Sequence, residues 1–149
     1  MKPKTRNSLL ALCLSLVFIA GVTVAAAPVI EVGEVRSPPT KGALIAKHFK
    51  HTVHESVAEL DTTRVKGGPF LVSASLVKLS GSTTELGVEA TAVVRTLLAH
   101  KSTGAMIGLT EGQATAAAPG GSLSDAQRSA LRAAMQSALR DVPAALSAK

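Results

Sequence analysis

Three histidines, His48, His51 and His54, recur at every third residue in a stretch that reads as a helix. Histidines three apart can share a metal ion, and Glu55 lies four residues beyond His51 as a further ligand type. The helical turn works against a single site. At 100° per residue, His48 and His54 end about 120° apart around the axis, too splayed for one ion to take all three. One pair could hold an ion only with a ligand from elsewhere in the fold. A pH-sensing role is the softer alternative, since histidine titrates near neutrality; its carboxylate neighbours are Glu55 and Glu59. The simplest reading is a polar helix face that carries histidines. No metal residue is therefore assigned, with a small metal-dependent enzyme or metal-binding protein using His48, His51 or His54 as the rival.

Other chemistry is sparse. No G-x-S-x-G elbow and no G-x-x-x-x-G-K-[ST] loop occurs. Gly33, Gly67-Gly68 and Gly120-Gly121 read as turns. Ser73 and Ser75 point outward from a strand. Glu31, Glu34, Glu85, Glu89 and Glu111 are scattered singly. Arg128, Arg132 and Arg140 follow one side of the last helix, but Asp125 and Asp141 offset them, which suits a solvated face. The reading is of a non-enzyme with no catalytic residue and no cofactor.

The N-terminus is a targeting segment. Lys2, Lys4 and Arg6 precede an apolar run from Leu9 to Val24, and Val24-Ala25-Ala26 offers small residues for cleavage before Ala27. That order is a secretory signal peptide over residues 1–26, leaving one domain over 27–149 in the periplasm or secreted. The alternative is a retained membrane anchor over residues 8–27, in a membrane-attached subunit of an envelope complex. Cys13 sits inside the apolar run behind Leu12, and so reads as an apolar residue rather than a lipidation site. It is the single cysteine of the chain; without residues 1–26 no disulfide can form.

Charge and aromatic content narrow the partners. The whole chain carries a formal +6. Without residues 1–26 it keeps 13 Lys+Arg against 10 Asp+Glu, a net +3. It has no Trp or Tyr, and only Phe49 and Phe70 remain of its phenylalanines. A base-stacking platform needs aromatic rings, so nucleic acid is not an expected partner.

The elements that position these residues follow from periodicity. Val29–Val35 is a first strand, ended by Ser37-Pro38-Pro39. Lys41–Leu60 is a helix with Thr40 as N-cap, because Ile45, Phe49, Val53, Val57 and Leu60 make one apolar stripe. Asp61–Gly68 is a loop. Phe70–Leu79 is a strand and Ser80–Thr84 a polar turn. Val88, Ala90, Ala92, Val94, Thr96 and Leu98 alternate as the core face of a third strand. A turn at His100–Gly104 leads to a fourth strand, where Gly108 and Gly112 suggest a bulge or a close neighbour. A last helix over Asp125–Asp141 takes Ser124 as N-cap with Gln127 completing a capping box. Pro143 ends it, and 144–149 is expected to fray. The order β-α-β-β-β-α implies an α+β two-layer domain: a three- or four-stranded, mainly antiparallel sheet with two helices on one face. The other face, with Val93 and Leu97, is expected to be open and to serve contact with a protein partner.

Ser102-Thr103-Gly104 in the late turn, Glu111-Gly112-Gln113-Ala114 in the last hairpin and the Ala-rich run from Ala126 to Leu139 resemble a group of bacterial envelope domains. The group includes the N-terminal domain of the Tol-Pal β-propeller protein, the curli-secretion lipoprotein and the lipoprotein activators of penicillin-binding proteins. The resemblance implies an exported accessory or assembly role without catalysis, and brings no site residue with it.

Overall fold

The computed structural model describes residues 29–85 and 87–147. The targeting segment, Cys13 and the proposed cleavage point lie outside the described residues. In chain order the elements are β1 (Ile30–Arg36), a 3-10 turn (Pro39–Lys41), α1 (Gly42–Ala58), β2 (Phe70–Thr84), β3 (Gly87–His100), β4 (Met106–Ala118), α2 (Leu123–Leu139) and α3 (Val142–Ser147). The four strands form one sheet in the order β1-β2-β3-β4. β1 pairs with β2 in parallel, and the other two pairings are antiparallel. A parallel pair cannot be joined by a tight turn, so α1 makes the crossover. The α+β two-layer expectation therefore holds, with a mixed four-stranded sheet.

Period two decides which face is covered. Val88, Ala90, Ala92, Val94, Thr96 and Leu98 of β3 are all buried, as are Phe70, Val72, Ala74 and Leu76 of β2. Against them α1 presents Phe49, Val53 and Val57, with Ile45 and Leu60 half-buried at its ends. α2 presents Ala126, Ala130, Leu131, Ala134, Met135, Ala138 and Leu139. Its alanines let the helix backbone come unusually near the sheet. A Cβ built on Gly112 of β4 would collide with the Ala134 carbonyl oxygen and the Ala138 amide nitrogen. Gly112 is thus the close neighbour anticipated at that position. The Thr110 hydroxyl donates to the Ala138 carbonyl at 2.7 Å and meets the Thr96 hydroxyl at 2.5 Å. This chain of contacts satisfies the buried Thr96 side chain.

Four boundaries differ from expectation, each for a local reason. Ser80–Thr84 is not a turn but the end of β2, paired with Thr91–Gly87 of β3. Gly81 there leaves room for Leu123, the first residue of α2. The cap of α2 is Ser122 rather than Ser124: its hydroxyl accepts from the Asp125 amide at 3.2 Å and donates to the Asp125 carboxylate at 2.6 Å. A carboxylate at that position also suits the positive end of the helix. Thr40 does not cap α1; it lies in the 3-10 turn, and Lys41 precedes the helix with no side-chain cap. Residues 144–147 do not fray, because Pro143 sits in the first turn of α3, where its missing N–H costs nothing. α3 buries Val142 and Leu146, and Ser147 reaches the Arg64 carbonyl at 3.2 Å.

Candidate functional site

The structure separates the three histidines. His48 and His51 line a groove between α1 and α2 with Thr52, Glu55, Arg128, Ser129 and Arg132, a space of about 330 Å³. His54 is exposed and outside that lining. Glu55, the one carboxylate in the groove, is already shared. His51 Nε2 lies 3.2 Å from one of its oxygens, and Arg132 donates to the other at 3.2 Å. Arg128 is paired with Asp125. Among the described residues no group of three or more His, Cys, Asp or Glu side chains is placed to hold a metal ion. The groove is an interhelical ion-pair cluster.

The uncovered face of the sheet is more organised. Register alone lines up Arg36, Ser75, Arg95 and Glu111 as one row across all four strands. The adjacent row runs through Ser73, Leu97 and Leu109. Glu34 closes its β1 end, where the β1–β2 register shifts between Val32 and Val35; the Glu34 amide donates to the Ser73 hydroxyl at 3.2 Å. Together these residues line a shallow depression of about 290 Å³. The first row is charged and polar; the second is partly apolar.

The charges on this face are paired along and across strands. Arg36 donates to Glu34 at 2.7 Å, and Arg95 donates to Glu111 through Nε at 3.3 Å and a terminal nitrogen at 2.9 Å. Lys101 reaches Glu31 at 2.7 Å. The hydrogen bond from Arg36 holds the Glu34 carboxyl below the usual carboxylate range, and the same bond raises Arg36 above its ordinary value. Both side chains are exposed, so the pair orders the surface more than it stabilises the fold. Leu97 is 36% exposed and Leu109 57%, and they are direct cross-strand partners. Met106, 69% exposed, opens the same strand as Leu109. Val93 departs from expectation: it is half-buried, flanked in register by Lys78 and Gln113, whose long side chains can cover it. No histidine, cysteine or aspartate lines the depression. Its hydroxyls are Ser73 and Ser75, and the carboxylates at its border, Glu34 and Glu111, are held by Arg36 and Arg95; with Leu97 and Leu109 the depression offers donors, acceptors and an apolar pair.

Residue-by-residue reading of the chain had found Leu97 and the outward serines. It missed Arg36, Glu34 and Leu109 as their neighbours. Those come from β1 and β4, and only the long-range register brings them in.

No family model matches the chain, and no curated protein matches it. Solved structures do resemble it. The hypothetical protein CT253 from Chlamydia trachomatis is 13% identical over 80% of this chain and 98% of its own, with a TM-score of 0.55. A protein of Caulobacter crescentus described as a lipoprotein is 16% identical over 80% and 88%, at 0.45. The PelC dodecamer from Paraburkholderia phytofirmans is 16% identical over 72% and 84%, at 0.40. The first of these shows that the chain shares a known fold. Among the described residues no helix is long and apolar enough to cross a membrane.

Proposed function

We propose that this chain is an exported, non-enzymatic accessory protein of the bacterial cell envelope that works by holding another protein against the uncovered face of its sheet. Residues 1–26 direct export and are then removed, leaving the α+β domain free in the periplasm or outside the cell. The observation that carries the reading is the pairing of Leu97 with Leu109 on a face that no helix covers among the described residues, beside the row Arg36–Ser75–Arg95–Glu111. An apolar centre with a polar rim is the anatomy of a protein contact. The paired arginines supply direction and register rather than bulk affinity. The resemblance to envelope accessory domains supports the same role.

The test is a crosslinked pull-down from native envelope, using the full chain with a C-terminal tag, alongside the double variant Leu97→Ser, Leu109→Ser. Both positions are exposed, so the variant is expected to fold and export normally. A specific protein recovered with the wild type and lost from the variant supports the reading. Recovery of the same proteins by both, or of the chain alone, overturns it. The intact mass of the exported protein tests the removal of residues 1–26.

A further inference from the structure

One end of the covered layer holds a pocket of a different character from the groove and the depression described above. Phe70 opens β2, His100 closes β3, and the two are direct cross-strand partners. Their ring centroids lie 4.9 Å apart, with the planes tilted by 43°. Beside them stand Ile107 at the start of β4, Leu146 of α3, and Lys66 and Gly67 of the loop before β2. Together these residues line a space of about 270 Å³. Phe70 and Leu146 are buried, Ile107 and His100 half-buried, and Lys66 exposed. The floor is apolar, and the polar side chains stand toward solvent.

The walls are tied to one another. The Ser147 hydroxyl meets the Arg64 carbonyl at 3.2 Å, which joins α3 to the loop. The Lys101 amide donates to the Pro69 carbonyl at 2.9 Å, which joins the end of that loop to the β3–β4 turn. A cavity held in this way needs little ordering when a ligand enters. Of the two phenylalanines of the domain, Phe49 is sealed in the core, while Phe70 lines this space.

Charge gives the ligand its sign. No carboxylate lines the pocket. Lys101, next to His100, is taken up by Glu31. Lys66 and His100 enter no ion pair among the described residues. The lysine offers an ammonium group, and the imidazole offers an N–H donor whether or not it is protonated. A carboxylate accepts from both through charge-assisted bonds, the stronger kind.

We infer that this pocket binds a small amphipathic carboxylate, with an aryl or short branched body against Phe70, Ile107 and Leu146 and the carboxylate accepting from Lys66 and His100. The volume lies just below the roughly 300 Å³ at which sites for drug-sized ligands begin, so the body is limited to about one ring or a short chain. None of the lining residues belongs to the depression on the open face, so this site is independent of the contact surface proposed above.

Titration of the purified, isotope-labelled exported protein with phenylacetate, followed through its amide chemical shifts, tests this. Phenethyl alcohol and phenethylamine supply the same ring with a neutral and a cationic end. Phenylacetate should give saturable shifts at Phe70, His100, Ile107 and Leu146, with an affinity about tenfold or more above that of the amine. Lys66 is exposed and lies outside every helix and strand, so Lys66→Glu should fold as the wild type does. It should weaken phenylacetate about tenfold and favour the amine. Shifts that do not saturate, equal affinities for acid and amine, or a Lys66→Glu variant that binds phenylacetate as tightly as the wild type would overturn the inference.

Discussion

On β3 every second residue from Val88 to Leu98 is buried, while Arg95 and Leu97, each one residue away from that series, are exposed. The two faces of this sheet are held to different tolerances. The covered face is fixed by shape: Phe49 and Val53 fill the α1 side, and an Ala–Gly contact brings α2 down on β4. The open face is fixed by pairs of side chains in solvent, each worth little by itself. Residues that fold the protein thus lie on one side. Those on the other are free of that duty, which is why the Leu97–Leu109 pair and its charged row carry the functional reading.

Two substitutions probe the covered face hardest. Phe49 is wholly buried, and Phe49→Ala removes its transfer free energy and leaves a cavity, costing about 3–5 kcal/mol. Chemical denaturation should show the midpoint falling with little change in slope. A change under about 1 kcal/mol would mean that α1 is a loose lid and that α2 alone covers the sheet. Gly112→Ala is the smaller change in volume, but its methyl group would meet helix backbone, which cannot rotate aside. α2 must lift from β4, at a cost of about 2–3 kcal/mol. The Thr110–Ala138 hydrogen bond would lengthen with it, so amide exchange should speed up in α2 and β4 before it does in α1.

The covered face was the legible one. The alternation in β3 and the five-residue stripe from Ile45 to Leu60 are signals within a single element, and need no distant partner to be legible. Other features depended on choices between near-equal local cues. Ser122 and Ser124 both offer a capping hydroxyl; Ser122 wins because Asp125, not Gln127, answers it. Pro143 can end one helix or begin another, and the burial of Val142 and Leu146 decides for the second. The open face was half legible. Leu97 and the serines of β2 follow from period two, but the closure of the site by β1 needs a pairing between residues about forty positions apart. The polar end of β2 reads as a turn until β3 is there to pair with it.

The smallest expected effect lies on the open face and concerns acid. The hydrogen bond from Arg36 keeps the Glu34 carboxyl below its ordinary range. A carboxyl lowered in the folded state stabilises the fold at pH values above its unfolded range. That contribution is lost as pH falls through the folded value. Stability from this pair should therefore be flat from neutrality down to about pH 5, and decline as pH falls through the ordinary glutamate value of about 4.3 and below. In Arg36→Gln the carboxyl returns toward its ordinary value. The melting temperatures of variant and wild type should then differ slightly at neutral pH and converge in acid. Because both groups are in solvent, 1 M salt should erase even the neutral-pH difference. A variant as costly as Phe49→Ala, or a difference indifferent to salt, would show that the charged row helps hold the fold. The separation of folding and contact between the two faces would then fail.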